Sequence, residues 1–403
     1  MIEAVRQPVQ RTVEFGIYRD GDNNLDDSQH EVLDQARAVS RGNRGVEFTV
    51  QDTSSMGGAN LVTQGAVIAD GQTHQDSISL GKDMASPQNL TEFVAHVLDN
   101  AEKSGAKQTW IELVDHGAGD GGGLEADTYK AVMPMPKIAN AIAAAIALHA
   151  KEHPEDAQRG VDGVVANQCL MSSLGFADAL SHAGVKYLAA SPETMLSPGV
   201  PSQVANAIEN HLDDPSAMAK SVVGTVMRYK YDGGSENYGP AAAFDVLDVS
   251  RNKLSSVERN VKKLNDAIAD AAANRSTREI IREDAKAIDG MVRFPQATPD
   301  MPWHADRPAI ALYDALAQDG RLAKNIRDLA ASAEASVKGL VLAHKESRDF
   351  APFDDASYTD AGGPTVHFAV NARQLDPWAP HVSETKNRFY SETDAGAMER
   401  VIA

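Results

Sequence analysis

A chain of 403 residues, 42% hydrophobic and 24% charged, is long enough for two or three domains with sizeable cores and too apolar for general disorder. The formal net charge of −19 argues against nucleic-acid binding, which needs a basic footprint, and disfavours anionic membranes. A single cysteine, Cys169, rules out an internal disulfide. Neither a signal-peptide core within residues 1–11 nor a run long enough to span a bilayer is present, so a soluble chain is expected. The compartment stays open, cytoplasmic or secreted with a leader removed, as does the oligomeric state.

In chain order, Val13 to Tyr18 predicts a first strand that runs into Asp20-Gly21-Asp22-Asn23-Asn24, a turn dense in Asp, Asn and Gly. Asp20, Asp22 and Asn24 imitate the opening of a calcium loop, but the required glycine and terminal glutamate are out of register. The turn is therefore expected to cap a helix from about Leu25 to Gly42. Val46 to Asp52 predicts a second strand, and Leu61 to Ala69 with Ser77 to Leu80 a hairpin turning near Asp70-Gly71. A helix from about Pro87 to Lys103 leads to the apolar run Trp110 to Val114. An alanine-rich helix from Pro136 to about Glu152 separates this run from another, Val161 to Ala166. Met171 to His182 predicts a helix and Val185 to Ala190 a further strand. Such alternation marks a largely parallel sheet covered on both faces.

Pro201 to Leu212 and Ser216 to Tyr231 read as helices, and Ala241 to Leu247 as a strand. From Ser250 onward helices dominate: Leu254 to Ala273, Arg278 to Met291, Ala309 to Gln318 and Leu322 to Ala343. Arg293 to Pro308 is a proline-rich loop, and Thr365 to Val370 is a late strand. The expected organisation is an α/β domain over 1–249 and a mainly helical C-terminal region over 250–403, with the late strand available to the first sheet.

In an open parallel sheet, ligands bind beyond the carboxyl ends of the strands. His116 follows one apolar run and Cys169 the next, so both are expected at one sheet edge. A helix starting at Leu170 would put Cys169 at its N-terminus, where the dipole favours thiolate. His116 can then accept the thiol proton and deliver it to a leaving amine. Gly117, with no side chain, can turn its N–H with that of Cys169 toward a developing oxyanion. Alone, Cys169 reads as a small buried hydrophobe and His116 as a loop imidazole satisfied by Asp115 or backbone. Together they favour catalysis. A phosphate cradle in 117–123 is the weaker alternative, because the Lys-Ser/Thr ending of a nucleotide loop is missing.

These residues resemble the clostripain-like cysteine peptidases of the caspase-like clan. Asp115-His116-Gly117 is similar to their histidine motif and Cys169-Leu170-Met171 to their nucleophile motif. Tyr18 with Asp22-Asn23-Asn24-Leu25 resembles their N-terminal signature, and Val50-Gln51-Asp52 the end of their second strand. Ala190-Ser191-Pro192-Glu193-Thr194 with Gly199 resembles their cleft segment. The matches are collinear over about residues 13–200. The resemblance implies a caspase-like three-layer α/β sandwich and a cysteine endopeptidase acting on a protein or peptide through a thioester acyl-enzyme. Carried over by position, Cys169 is the nucleophile, His116 the acid/base, and Gly117 and Cys169 supply oxyanion N–H groups. No third triad residue is implied, and Asp115 is expected to orient the loop. No cofactor is required; some relatives need calcium, for which this sequence shows no strong ligand array.

Relatives that cut after Arg or Lys carry Asp two residues before the nucleophile, where this chain has Asn167. The amide brings no charge, which puts a basic P1 preference in doubt. Substrate contacts are expected from Asn167, Ser191, Glu193 and Thr194; Glu193 could restore an acidic pocket, and Arg19 could favour an acidic side chain. Relatives often mature by self-cleavage between the two motifs, and Lys130, in the loop 125–131, is the candidate. The alternative function is a catalytically inactive caspase-like module that binds peptides or proteins through the same cleft.

Overall fold

A strand buried on both faces needs apolar side chains in both alternating sets, and β1 (Val13–Gly21) has them: Val13, Phe15 and Ile17 face one side, Tyr18 the other. The computed structural model describes residues 11–29, 31–54, 61–76, 83–119, 122–196, 199–229, 243–288, 305–346, 362–371 and 388–402. After β1 come β2 (Val46–Ser54), β3 (Val62–Ala69), β4 (Gln72–Gln75), β5 (Gln108–Val114) and a small hairpin of β6 (Leu124–Ala126) and β7 (Ala131–Met133). β8 (Gly163–Asn167), β9 (Tyr187–Ala190), β10 (Ala243–Asp248), β11 (Asp306–Pro308), β12 (Val341–Glu346) and β13 (Thr365–His367) follow.

The main sheet has nine strands in the order β12-β10-β9-β8-β5-β1-β2-β3-β4. β2, β1, β5, β8 and β9 are parallel, while the two outer strands on each side are antiparallel to their inner neighbours. The chain leaves β1 toward β2 and returns on its other side at β5. That reversal opens a crevice at the carboxyl ends of β1 and β5, the place where such sheets bind ligands.

Helices cover both faces. α1 (Asp26–Gln29) follows β1, and α2 (Glu31–Gly42), α6 (Val204–Glu209) and α7 (Pro215–Val226) carry apolar residues onto Phe15, Ile17, Trp110, Val165 and Phe244. α3 (Pro87–Ser104), α4 (Met135–Glu152), α5 (Leu174–His182) and α8 (Arg251–Ala271) pack on Tyr18, Ile111, Leu113, Val164 and Leu188. α3 buries Leu90, Phe93, Val94, Val97 and Leu98, each removed from water for roughly 1.5–3 kcal/mol, and stops at Gly105 in the left-handed region. On this second face the core is continuous across residue 249, joining Leu113 and Leu174 to Leu254, Leu312, Phe389 and Ile402. α9 (Arg275–Ala287), α10 (Ala309–Gln318) and α11 (Lys324–Lys338) complete that layer. Among the described residues no helix is long and apolar enough to cross a membrane.

Several elements differ from the sequence expectation. The helix after Cys169 starts at Leu174, with the Ser173 hydroxyl capping the Phe176 N–H, and not at Met171. Residues 170–172 bond to the cleft segment instead: the Leu170 N–H donates to Glu193 O, and the Ser172 N–H to Ser191 O. Leu170 has a φ of 65°, which no right-handed helix accepts. Second, α11 ends at Lys338, and the segment from Val341 is β12, the strand that the C-terminal half contributes to the main sheet, beside β10. Third, Thr365–His367 pairs with β11 in a separate ribbon and touches the Cys loop through Ser173. The hairpin turn at Asp70-Gly71 is present, both residues having positive φ, but its second strand is Gln72–Gln75; Ser77 to Leu80 lie outside the described residues, as do 293–304 of the proline-rich loop.

Candidate active site

Four adjacent parallel strands each deliver one piece of the site from their carboxyl ends. β1 leads to Asn23 and Asn24, β5 to Asp115 and His116, β8 to Gln168 and Cys169, and β9 to Ser191, Glu193 and Thr194. Val114 pairs with Asn167, so the His and Cys loops leave the sheet at the same level. Three contacts lock them together. Asp115 N–H donates to Asn167 O, the Gln168 side-chain amide donates to His116 O at 2.9 Å, and Gly117 lies against the Cys169 backbone. A Cβ on Gly117 would stand 2.1 Å from Cys169 O and 2.9 Å from Cys169 N. Only glycine permits that approach. The N–H groups of Gly117 and Cys169 donate to no backbone carbonyl among the described residues.

Asp115 is buried and acts on the loop: Oδ1 accepts from Asn23 Nδ2 at 2.7 Å and from the His116 N–H, and Oδ2 from the Glu125 N–H. Burial, reinforced by Asp20, pushes its carboxyl well above the usual carboxylate range. The His116 imidazole meets a residue the sequence reading gave to a helix cap. Nε2 lies 2.7 Å from Asn24 Oδ1. With that amide oxygen as acceptor, Nε2 carries the proton and Nδ1 is the basic nitrogen. Asn24→Ala is therefore expected to lower kcat about five- to tenfold, the worth of one hydrogen bond of roughly 1–1.5 kcal/mol, with KM little changed. Steady-state kinetics on a peptide checks this.

Cys169 is half-buried and turned toward the cleft segment, its Sγ accepting from the Met195 N–H at 3.2 Å and facing Met195 O at 3.8 Å. No hydrogen bond joins it to His116. Burial pushes the thiol above its ordinary pKa, the Met195 N–H draws it back, and the Glu193 carboxylate adds to the rise. Cys169 is thus not at a helix N-terminus, and this arrangement favours the neutral thiol. The helix dipole expected to favour thiolate therefore does not act on Cys169.

No family model matches the sequence, and no curated protein matches it. Solved structures do match. A secreted C11 cysteine protease from Bacteroides thetaiotaomicron, iotapain, superposes with a TM-score of 0.65 at 13% identity, over 96% of this chain and 100% of its own. The chain has the fold of the C11 cysteine proteases. An inactive zymogen C11 protease from Parabacteroides distasonis gives a TM-score of 0.62 at 15% identity, over 96% of this chain and 99% of its own. The Bacteroides thetaiotaomicron C11 protease in complex with an irreversible peptide inhibitor gives 0.64 at 14%, over 95% and 99%. The architecture is the caspase-like three-layer sandwich, as the strand order indicates.

Within this C11 fold, Asn167 is buried and its amide is fully engaged. Oδ1 accepts from the Val200 N–H at 2.8 Å, and Nδ2 donates to Glu112 Oε1 at 2.9 Å and toward Val200 O at 3.4 Å. Gly199, at φ 88°, approaches so closely that a Cβ would fall 1.8 Å from Asn167 Oδ1. Glu112, from the middle of β5, is fully buried, has no partner for Oε2, and burial raises its pKa to about 8 despite the Asn167 amide. Its folded pKa exceeds the unfolded value near 4.5, so the unfolded chain loses this proton first. Stability therefore falls as pH rises from about 4.5 to about 8. Glu112→Gln is expected to gain in melting temperature relative to the parent chain over that interval, and paired melts at the two ends check it.

The remaining cleft candidates hold backbone. Ser191 Oγ donates to Ala243 O and accepts the Glu193 N–H, while Glu193 Oε2 accepts the Thr194 N–H; all three residues are buried. Ser172 Oγ donates to Asp245 Oδ2 at 2.6 Å, and Asp245 Oδ1 meets His344 Nδ1 at 2.6 Å, anchoring the Cys loop to the edge strands. Burial opposes the charge on His344, but Asp245 and Glu346 prevail and lift its pKa to about 9. Arg19 is buried between Asp26 and Asp52, tying β1 to α1 and β2. Asp22 holds the Thr128 N–H and hydroxyl, and Asp20 accepts the Asp22 N–H. Lys130 stands at the exposed tip of the β6–β7 hairpin with a φ of 51°. Of the glycine run, 120 and 121 lie outside the described residues, as do 197 and 198 of the cleft segment.

Proposed function

We propose that this protein is a cysteine endopeptidase working through Cys169 and His116. The observation that supports the reading is the close approach of Gly117 to the Cys169 backbone, where neither N–H donates to a backbone carbonyl among the described residues. In the proposed cycle His116 Nδ1 takes the thiol proton as Sγ attacks the peptide carbonyl. The Gly117 and Cys169 N–H groups receive the oxyanion. His116 then protonates the leaving amine, leaving a thioester on Cys169. Water, deprotonated by His116, attacks the thioester; its collapse frees the acid and restores the thiol. The chemistry draws on no cofactor. Substrate displaces the Cys169–Met195 contact, and the freed Met195 N–H and C=O pair with the substrate backbone in this reading. The likeness to proteases of the same fold, one of them bound to a peptide inhibitor, supports this reading.

A thiol-directed peptide electrophile is expected to label Cys169 stoichiometrically, with the His116→Ala variant labelled far more slowly. Failure of any such probe to react at Cys169 would favour the inactive peptide-binding module.

The residue accepted before the scissile bond is neutral in this proposal. Asn167 has no charge, and Glu112 behind it is kept protonated by burial near neutral pH. The hairpin tip at Lys130 is open to self-cleavage, but such a pocket cuts there slowly compared with a peptide carrying a neutral residue. Rapid, quantitative cleavage after Lys130, absent in Cys169→Ala, would contradict the neutral pocket.

A further inference from the structure

At the far end of the sheet from the cleft, the last turns of α3 and α4 and the short turn after α4 gather two imidazoles and four carboxylates. His149 and His153 stand one turn apart, their rings stacked with centroids 4.7 Å apart and 17° between planes. Asp99 Oδ1, from α3, lies 2.9 Å from His149 Nδ1 and 3.4 Å from His153 Nε2. Glu102 reaches His153 Nδ1 at 2.7 Å, Asp156 Oδ2 lies 3.6 Å from His149 Nε2, and Glu155 is 3.8 Å from His153 Nδ1.

Each ring thus sets one nitrogen on the Asp99 carboxylate and the other toward Glu102 or Asp156. His149 is 1% exposed, and its Nε2 makes no hydrogen bond. Both helices also end here, so their negative dipole ends add to the carboxylates. Arg159, on Asp156, is the arginine paired within the cluster.

We propose that Asp99, His149 and His153 bind a divalent cation of the zinc class, stapling α3 to α4. The ion takes His149 Nδ1, His153 Nε2 and Asp99 Oδ1, whose ligand atoms lie within 4.8 Å of one another. Zn–N and Zn–O bonds of about 2.0–2.1 Å give tetrahedral edges of roughly 3.3 Å, close to the two Asp99 distances. Glu102 and Asp156 then accept the outer N–H of His153 and His149, the arrangement that fixes tautomer and ring orientation at metal-bound histidines. Imidazole donors select zinc, nickel or copper over calcium.

The test uses the full chain as Cys169→Ala, which removes thiol binding in the cleft, stripped with chelator and titrated with Zn2+. One equivalent retained through dialysis and a melting temperature raised by several degrees are expected, with Ca2+ giving no shift. His153→Gln and Asp99→Asn, each melting normally in chelator, are expected to weaken Zn2+ binding by more than about 100-fold, beyond the ~10–100-fold loss of an outer partner. No Zn2+ shift in the parent, or a shift undiminished in both variants, would overturn the proposal.

Discussion

Cys169→Ala is expected to abolish peptide hydrolysis, lowering kcat by more than about 10^4-fold, because the nucleophile and the site of acylation disappear together. The chain has one cysteine, so no neighbouring thiol can substitute. The cost to the fold is small: Sγ is half-buried and, among the described residues, meets the Met195 N–H and O, so the loss is under about 1 kcal/mol. His116→Ala is expected to fall nearly as far, and the double variant no further, since nucleophile and base act as one unit. Single-turnover kinetics with a melting curve for each protein separates the loss of chemistry from any loss of fold. A double variant many-fold below both single variants would show that the two residues act independently.

The second large effect is expected at Gly117. In Gly117→Ala the new methyl would fall 2.1 Å from Cys169 O, inside any tolerable contact. Neither loop can retreat freely. The Cys loop is held by the Leu170 N–H on Glu193 O, and the His loop by the Gln168 amide on His116 O. The two must part, carrying the Gly117 N–H away from the thiol. A kcat lower by about 10^2–10^3-fold is expected, the loss of one oxyanion donor, with overpacking costing about 1–3 kcal/mol of stability. Gly42→Ala is the matched control, since its Cβ meets nothing within 4 Å. Unchanged kcat in Gly117→Ala would remove the oxyanion role from this residue.

The parallel core was legible because β1, β5, β8 and β9 are largely apolar runs that give way to polar residues, and His116 and Cys169 lie two residues beyond the ends of β5 and β8. What lay beyond the sequence depends on pairing between distant segments. Leu170 to Ser172 looked helical because their periodicity continues into α5, but hydrogen bonds to residues 191–193 hold them out of the helix. Val341 to Ala343 looked like the end of α11, but they open β12 beside β10. Asn24 read as a cap because only the adjacency of β1 and β5 brings it to His116. Glu112 left a local trace, a lone charge inside Trp110 to Val114, yet its partner Asn167 is on another strand. His149 and His153, four residues apart at the end of α4, went unremarked in the sequence, and no local pattern tied Asp99, on α3, to them.

The most direct measurement of the central claim is a peptide-library digest read by mass spectrometry, run side by side with the parent protein and Cys169→Ala. Internal peptide-bond cleavage by the parent, clustered after neutral residues and absent from the variant, is the predicted result. Equal cleavage by both proteins, or none by the parent while it still binds library peptides, would contradict a Cys169–His116 endopeptidase.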